Sequence, residues 1–245
     1  MNILLLAGTS EARDLAQALV ARGHAVTASL AGATRAPRNL GCDTRIGGFG
    51  GEQGFRDWLA SHPVDLVIDA THPFATRISE RTARICDDEQ IVNLQVLREP
   101  WSPSGEDNWV FIDHPNQAPD IIAAGSTVFL ATGRQTLEQF EGLSSCYLIC
   151  RQIDPPDGPF PFENGKFLVG RPPFSIEDEV QLFTELGVDW LVVKNAGGQM
   201  SRSKLDAARQ MRMPVLMINR MPPPDGPMVT TVEAALEWLD AHYQG

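Results

Sequence analysis

The residues of this chain best suited to chemistry lie in short loops that follow apolar runs. The first is Leu4-Leu5-Leu6-Ala7-Gly8-Thr9-Ser10-Glu11-Ala12-Arg13. An apolar strand enters a glycine turn and opens a helix, whose N-terminal N–H groups and partial positive charge suit a phosphate or pyrophosphate. Gly8 lets the backbone approach a ligand, Thr9 and Ser10 add hydroxyls, and Ala12 keeps the helix close to the sheet. The segment departs from G-x-G-x-x-G in having one glycine. An ordinary strand-to-helix turn capped by Ser or Thr would use the same residues, so both readings stay open on this segment alone.

The second strand discriminates further. NAD-specific sites place an acid near its end to hold the ribose 2′-hydroxyl. Here the strand closes Ser29-Leu30-Ala31-Gly32-Ala33-Thr34-Arg35, with no acid. Hydroxyls, a glycine and the guanidinium of Arg35 suit a 2′-phosphate instead, which points to NADPH over NADH. Taken singly, Arg35 reads equally as a solvated loop arginine.

Further loops repeat the pattern. Asp69-Ala70-Thr71-His72-Pro73-Phe74-Ala75 follows a buried strand. It sets Thr71 at a strand end and offers His72 either as a proton donor near neutral pH or as a structural hydrogen-bonding histidine. Asp69 is expected to satisfy backbone groups of the turn. Ala131-Thr132-Gly133-Arg134 and Lys194-Asn195-Ala196-Gly197-Gly198 each join glycine to a cation, so their amides and charges can hold an anion. Flexible turns with solvated charges are the alternative. Ser201, Ser203 and Lys204 open the next helix. In Gly170-Arg171-Pro172-Pro173-Phe174-Ser175, Ser175 with Asp178 reads as a capping box, leaving Arg171 as an anion contact.

Continuous apolar strands alternating with amphipathic helices must position these loops, and they indicate parallel α/β sheets. Strands are expected over 2–7, 24–30, 64–69, 90–96, 126–130, 146–150, 190–194 and 215–218. Helices are expected over 11–22, 74–87, 115–124, 135–140, 177–186, 203–211 and 231–242, with 57–62 as the end of another. The polar, proline-bearing stretch 97–108 reads as a linker. Two α/β domains follow, one over 1–98 that binds the cofactor and one over 107–245, with room for the last helix to pack back on the first. The chain's 245 residues suffice for both.

A net charge of −11 argues against nucleic-acid and anionic-membrane partners. The four cysteines, Cys42, Cys86, Cys146 and Cys150, show no zinc spacing and read as buried thiols, with Cys146 and Cys150 on one strand face. No metal is expected, and with no leader or membrane-length apolar run a cytoplasmic protein is. Neither Tyr147 nor Tyr243 has a lysine four residues on, against a short-chain dehydrogenase.

Assembled in order, these loops resemble the precorrin-6A reductase family. The resemblance is carried by Leu6 to Arg13, Asp69 to Ala75, Ala131 to Arg134, Lys194 to Gly198, Ser203-Lys204-Leu205-Asp206-Ala207-Ala208 and Pro214-Val215-Leu216-Met217-Ile218-Asn219-Arg220. It implies two Rossmann-like domains with mainly parallel sheets and a cleft between them. It also implies hydride delivery from NADPH to precorrin-6A, a polycarboxylate tetrapyrrole, giving precorrin-6B. On that reading Gly8, Thr9, Ser10, Glu11, Ala12, Ser29, Leu30, Ala31, Gly32, Arg35, Thr71, Lys194, Asn195, Gly197 and Gly198 hold the cofactor. Arg77, Thr132, Gly133, Arg134, Arg171, Ser203 and Lys204 hold the substrate, and His72 is the candidate catalytic group. A cobalt-precorrin-6A reductase and a non-catalytic NADPH-sensing module are the alternatives.

Overall fold

The structure is a computed structural model that describes residues 1–32 and 39–243. It divides into two compact units, Met1–Glu99 with Met221–Gly245, and Pro100–Arg220.

In the first unit, β1 (Asn2–Leu6), α1 (Ser10–Ala21), β2 (Ala25–Leu30), β3 (Asp43–Ile46), α2 (Gly51–Ser61), β4 (Leu66–Asp69), α3 (Thr76–Asp88) and β5 (Val92–Val96) follow in turn. The chain returns at its end with β12 (Met228–Val229) and α6 (Val232–His242). The strands form one sheet in the order β12-β5-β4-β1-β2-β3, with every pairing parallel. β1 and β4 are apolar on both faces because helices cover both. Ala12, Leu15, Ala16 and Leu19 of α1 pack on one face beside Ala235 and Leu239 of α6. Phe55 and Leu59 of α2 with Ile85 and Cys86 of α3 cover the other. Each fully buried leucine contributes about 1.5–3 kcal/mol.

The second unit holds β6 (Trp109–Ile112), a 3-10 helix (Pro115–Asp120), β7 (Thr127–Leu130) and a second 3-10 helix (Arg134–Leu143). Then come β8 (Tyr147–Gln152), β9 (Gly165–Val169), α4 (Ile176–Leu186), β10 (Trp190–Lys194), α5 (Ser203–Gln210) and β11 (Val215–Ile218). Its sheet runs β6-β11-β10-β7-β8-β9, again with every pairing parallel. The two sheets share one spatial order: a central strand (β1 or β7) is followed by two to one side, and the chain then crosses back to two on the other, while the outer edge is filled by β12 from the end of the chain in the first sheet and by the leading strand β6 in the second. The switch points fall between β1 and β4 and between β7 and β10.

Three expectations need correcting. The stretch 97–108 is not a free linker. Trp101 is buried in the second unit's core and Asp107 is bonded by Arg209 at 2.9 Å, because an indole and an ion pair anchor what proline-rich polarity suggested was loose. The second unit ends at Arg220 rather than at the chain's end: α6 packs back on the first unit's core, as the sequence allowed, and β12 goes with it by pairing with β5. The segments expected as helices over 115–124 and 135–140 are 3-10. Pro119 removes a donor from the first. The two pack so closely that a Cβ on Gly142 would meet Pro119 at 2.7 Å. Cys146 lies one residue before β8, and both it and Cys150 are buried.

Candidate functional site

In doubly wound sheets, ligands bind beyond the carboxyl ends of the strands at the switch point. In the first unit that place is framed by the Gly8 and Ala70 loops. Gly8 has φ +155°, a conformation that favours glycine, and a Cβ there would face open space. Thr9 caps α1, accepting from the Ala12 amide at 3.1 Å, and donates to the Ala70 carbonyl at 2.8 Å. The N-cap reading of this turn is therefore right, and the same hydroxyl ties the two sides of the switch together. Ala12 is fully buried, so α1 begins hard against the sheet. Ser10 donates to Glu11, whose carboxylate takes Arg98 at 2.7 Å. Burial raises the Glu11 pKa, but hydrogen bonds and Arg98 outweigh it and leave it below the usual carboxylate range.

Across the switch, Asp69 accepts from the Thr71 amide at 3.0 Å and its hydroxyl at 2.7 Å, the turn-satisfying role expected of it. His72 is exposed and its Nδ1 accepts from the Phe74 amide at 3.2 Å, so the neutral ring carries its proton on Nε2. A shallow, solvent-open depression adjoins this loop, lined by Thr71, His72, Gln95 and the run Pro222-Pro223-Pro224 among others. Arg77 is exposed on α3.

At the end of β2, Ser29 is buried while Ala31 and Gly32 are exposed. Gly32 has φ +76°. Arg35 lies outside the described residues. The guanidinium that reaches Ser29 is Arg45 of β3, at 2.7 Å.

In the second unit, the loops after β7 and β10 lie at the ends of two paired strands, at its switch point. Gly133 has φ +76°, and the Thr132 hydroxyl is buried without a hydrogen-bond partner within the protein. So is the side-chain amide of Gln152, at the end of β8. Arg134 pairs with Asp157 at 3.1 Å and Arg171 with Asp154 at 3.6 Å, each substantially exposed. Gly197 and Gly198 have φ +67° and +79°. Asn195 is buried and its amide is spent on Trp101, accepting from its N–H at 2.8 Å and donating to its carbonyl at 3.0 Å. Its backbone is engaged as well: the N–H donates to the Ile218 carbonyl at 2.9 Å, and the carbonyl accepts from Arg220 Nε at 2.5 Å. The Trp101 indole donates to the Gly198 carbonyl at 2.9 Å, completing the clamp.

Burial pulls the Lys194 pKa down. Ser203 is half-buried. Lys204 is buried, donates to the Ser201 carbonyl at 2.5 Å, and has its pKa lowered to about 8, first by burial and then by Arg151. Arg151 and Glu179 form a bidentate pair at 2.7 and 2.8 Å, with Arg151 over Phe129 and Phe174. The expected capping box is present: Ser175 accepts from the Asp178 amide at 3.0 Å, and Asp178 accepts from the Ser175 amide at 3.1 Å.

Sequence reasoning missed Arg45, Arg98, Gln152 and the Arg151–Glu179 pair. Arg45 hid because β3 is a four-residue strand between glycine-rich loops, and Arg98 because it lay in the presumed linker. For Gln152, nothing local marks a glutamine that will be buried without a partner.

Two wholly parallel, doubly wound sheets, with a glycine turn opening a helix at the first switch point, define a two-domain Rossmann-like α/β protein. The model of a family described as "Precorrin-6x reductase CbiJ/CobK" matches residues 2–240. The precorrin-6A reductase of Rhodococcus erythropolis is 43% identical, over 97% of each chain. That of Rhodobacter capsulatus is 36% identical, over 98% of this chain and 96% of its own. A solved structure described as CobK precorrin-6A reductase superposes with a TM-score of 0.94 at 35% identity, covering 99% of this chain and 97% of that one. This chain belongs to the precorrin-6x reductase family. It is an oxidoreductase acting on a CH–CH group, and its reaction is the reduction of precorrin-6A, a tetrapyrrole, in cobalamin biosynthesis. No helix among the described residues is long and apolar enough to cross a membrane.

Proposed function

We propose that the reductant is NADPH, bound by the first unit, and that the second unit supplies the cations and hydrogen-bonding groups that hold the ring's carboxylate arms. The observation that carries the cofactor half is the switch-point turn. Gly8 sits in a glycine-favouring conformation with open space before it, at the start of a capped helix. A pyrophosphate fits there against the amides of Ser10 and Glu11. Thr71 lies across the switch from it, beside a shallow solvent-open depression that leaves the approach to the turn clear. Ser29 to Gly32 take the adenosine ribose, with Arg35 in the segment next to them.

Bound in that orientation, NADPH would supply a hydride to the conjugated ring; the protein's own residues orient and neutralise. Arg134, Arg171 and Lys204 offset carboxylate charge, and Arg77 adds a cation on the first unit. Each exposed arginine must exchange its aspartate for a substrate arm, which costs little because such pairs are weak. Thr132, Gly133 and Ser203 add uncharged contacts. The orphaned Thr132 hydroxyl and Gln152 amide support a polar group entering here, since an unmet buried polar group costs about 1–3 kcal/mol. Lys194 and the Gly197–Gly198 turn offer a further anion contact on the second unit. His72 could donate a proton only as the imidazolium, and is not needed to activate an already electrophilic ring. The reaction then rests on positioning and fixed electrostatics. Four free cysteines fit a reducing cytoplasm.

The test is a titration of intrinsic tryptophan fluorescence with NADPH and NADH. Tight NADPH binding that Gly8→Val abolishes supports the reading. Unimpaired binding by Gly8→Val removes the loop from the site.

A further inference from the structure

Cofactor choice in a sheet of this kind is settled beyond the second strand, where NAD-specific sites carry an acid. This chain has Ser29 there, and the structure adds a partner from the neighbouring strand. β3 runs parallel to β2 with Arg45 opposite Ser29 in register. Nη1 of Arg45 donates to the Ser29 hydroxyl at 2.7 Å and to the Gly47 carbonyl at 3.0 Å, and Nη2 donates to the Gly48 carbonyl at 3.1 Å. One face of the guanidinium lies over the Phe49 ring, 3.8 Å from its centroid. Gly32, on the chain leaving β2, comes close to the same strand: a Cβ there would meet Ile46 at 3.4 Å.

Two features separate Arg45 from an ordinary surface arginine. Its plane is fixed by three hydrogen bonds and a ring, so little rotamer freedom is left to lose when a ligand arrives. Its charge is also left standing. Among the described residues no carboxylate pairs with it, whereas Arg98, Arg134, Arg151, Arg171 and Arg209 all carry an acid. In a protein of net charge −11, an immobilised and unneutralised guanidinium at the end of β2 is a distinct electrostatic feature. Where an NAD site has a carboxylate to accept from the 2′-hydroxyl, this site has a hydroxyl and a cation.

We propose that Arg45, held on Ser29, is a specificity-determining residue that receives the 2′-phosphate of the cofactor's adenosine ribose. The inference rests on the reading that the first unit binds a dinucleotide. The competing role is a strut that only holds the turn at Gly47 and Gly48.

The test uses the full-length protein and the two half-ligands 2′,5′-ADP and ADP, titrated calorimetrically. The wild type is expected to prefer 2′,5′-ADP. Arg45→Met should weaken 2′,5′-ADP by roughly 10- to 100-fold, the range for losing a charge-assisted contact, with ADP affinity unchanged. Arg45→Lys, which keeps charge but not the fork, should fall between. Ser29→Ala covers the case in which Arg45→Met fails to fold: it leaves the bonds to Gly47 and Gly48 in place and should still lower 2′,5′-ADP affinity selectively. If Arg45→Met weakens both ligands alike, or neither, the strut reading holds and the inference is overturned. If the wild type prefers 2′,5′-ADP and the variants keep that preference, only the Arg45 assignment fails and the 33–38 segment becomes the selector. If the wild type binds neither ligand, the dinucleotide reading itself fails and the inference falls with it.

Discussion

Asn195 separates a structural role from a ligand-binding one. Both polar atoms of its side chain are spent on the backbone of Trp101, and both residues are buried. Asn195→Ala removes two neutral hydrogen bonds and leaves a buried N–H and a buried carbonyl of Trp101 without partners. Each orphaned group costs about 1–3 kcal/mol, so the variant should lose about 2–6 kcal/mol. For a chain of this size that is a fall of roughly 4–24 °C in Tm. The assay is thermal and urea unfolding followed by circular dichroism, paired with an NADPH titration of the folded variant at low temperature. The expected result is a large stability loss with NADPH affinity within about threefold of wild type, since that side chain faces no ligand. An unchanged Tm with NADPH binding lost would refute the reasoning and return the Asn195 amide to the cofactor site.

Three further outcomes follow. Lys204 is charged below a pKa of about 8 in the folded chain against 10.5 unfolded, so its burial costs about 3 kcal/mol at pH 7 and stability should rise as pH goes from 8 to 10.5. Lys204→Met should flatten that rise in urea unfolding while raising the KM for substrate; a rise that persists assigns it to another group. Arg134→Ala with Arg171→Ala should raise the KM for precorrin-6A by about tenfold or more with NADPH binding unchanged, and equal KM values would remove both from the substrate site. His72→Ala should retain turnover within roughly tenfold, whereas a loss of 10²- to 10⁴-fold with binding intact would mark a general acid.

Much of the frame was legible because buried parallel strands announce themselves. Leu4 to Ala7, Leu66 to Ile68 and Leu191 to Val193 are continuous apolar runs that only a sheet covered on both faces accommodates. The switch-point loops were legible for the same reason, as glycines and hydroxyls stand out at the ends of such runs. The short edge strands β3 and β9 and the two-residue β12 were not, since exposed, mixed-polarity segments such as Asp43–Ile46 carry no periodic signal. Arg45 was missed with β3. Asn195 was read as a ligand group because spacing cannot show that Trp101, 94 residues away, takes up its amide. Lys204 was seen as a cation, but not as one buried beside Arg151.

The most direct test of the account is the loss of NADPH absorbance at 340 nm when the purified protein meets precorrin-6A under anaerobic conditions. One NADPH should be oxidised per ring reduced, with kcat/KM for NADH lower by at least about tenfold, as loss of the 2′-phosphate contact requires. Equal rates with NADH would contradict the assignment of the β2 end to a 2′-phosphate, and no oxidation with either would contradict the assignment of a nicotinamide reductant.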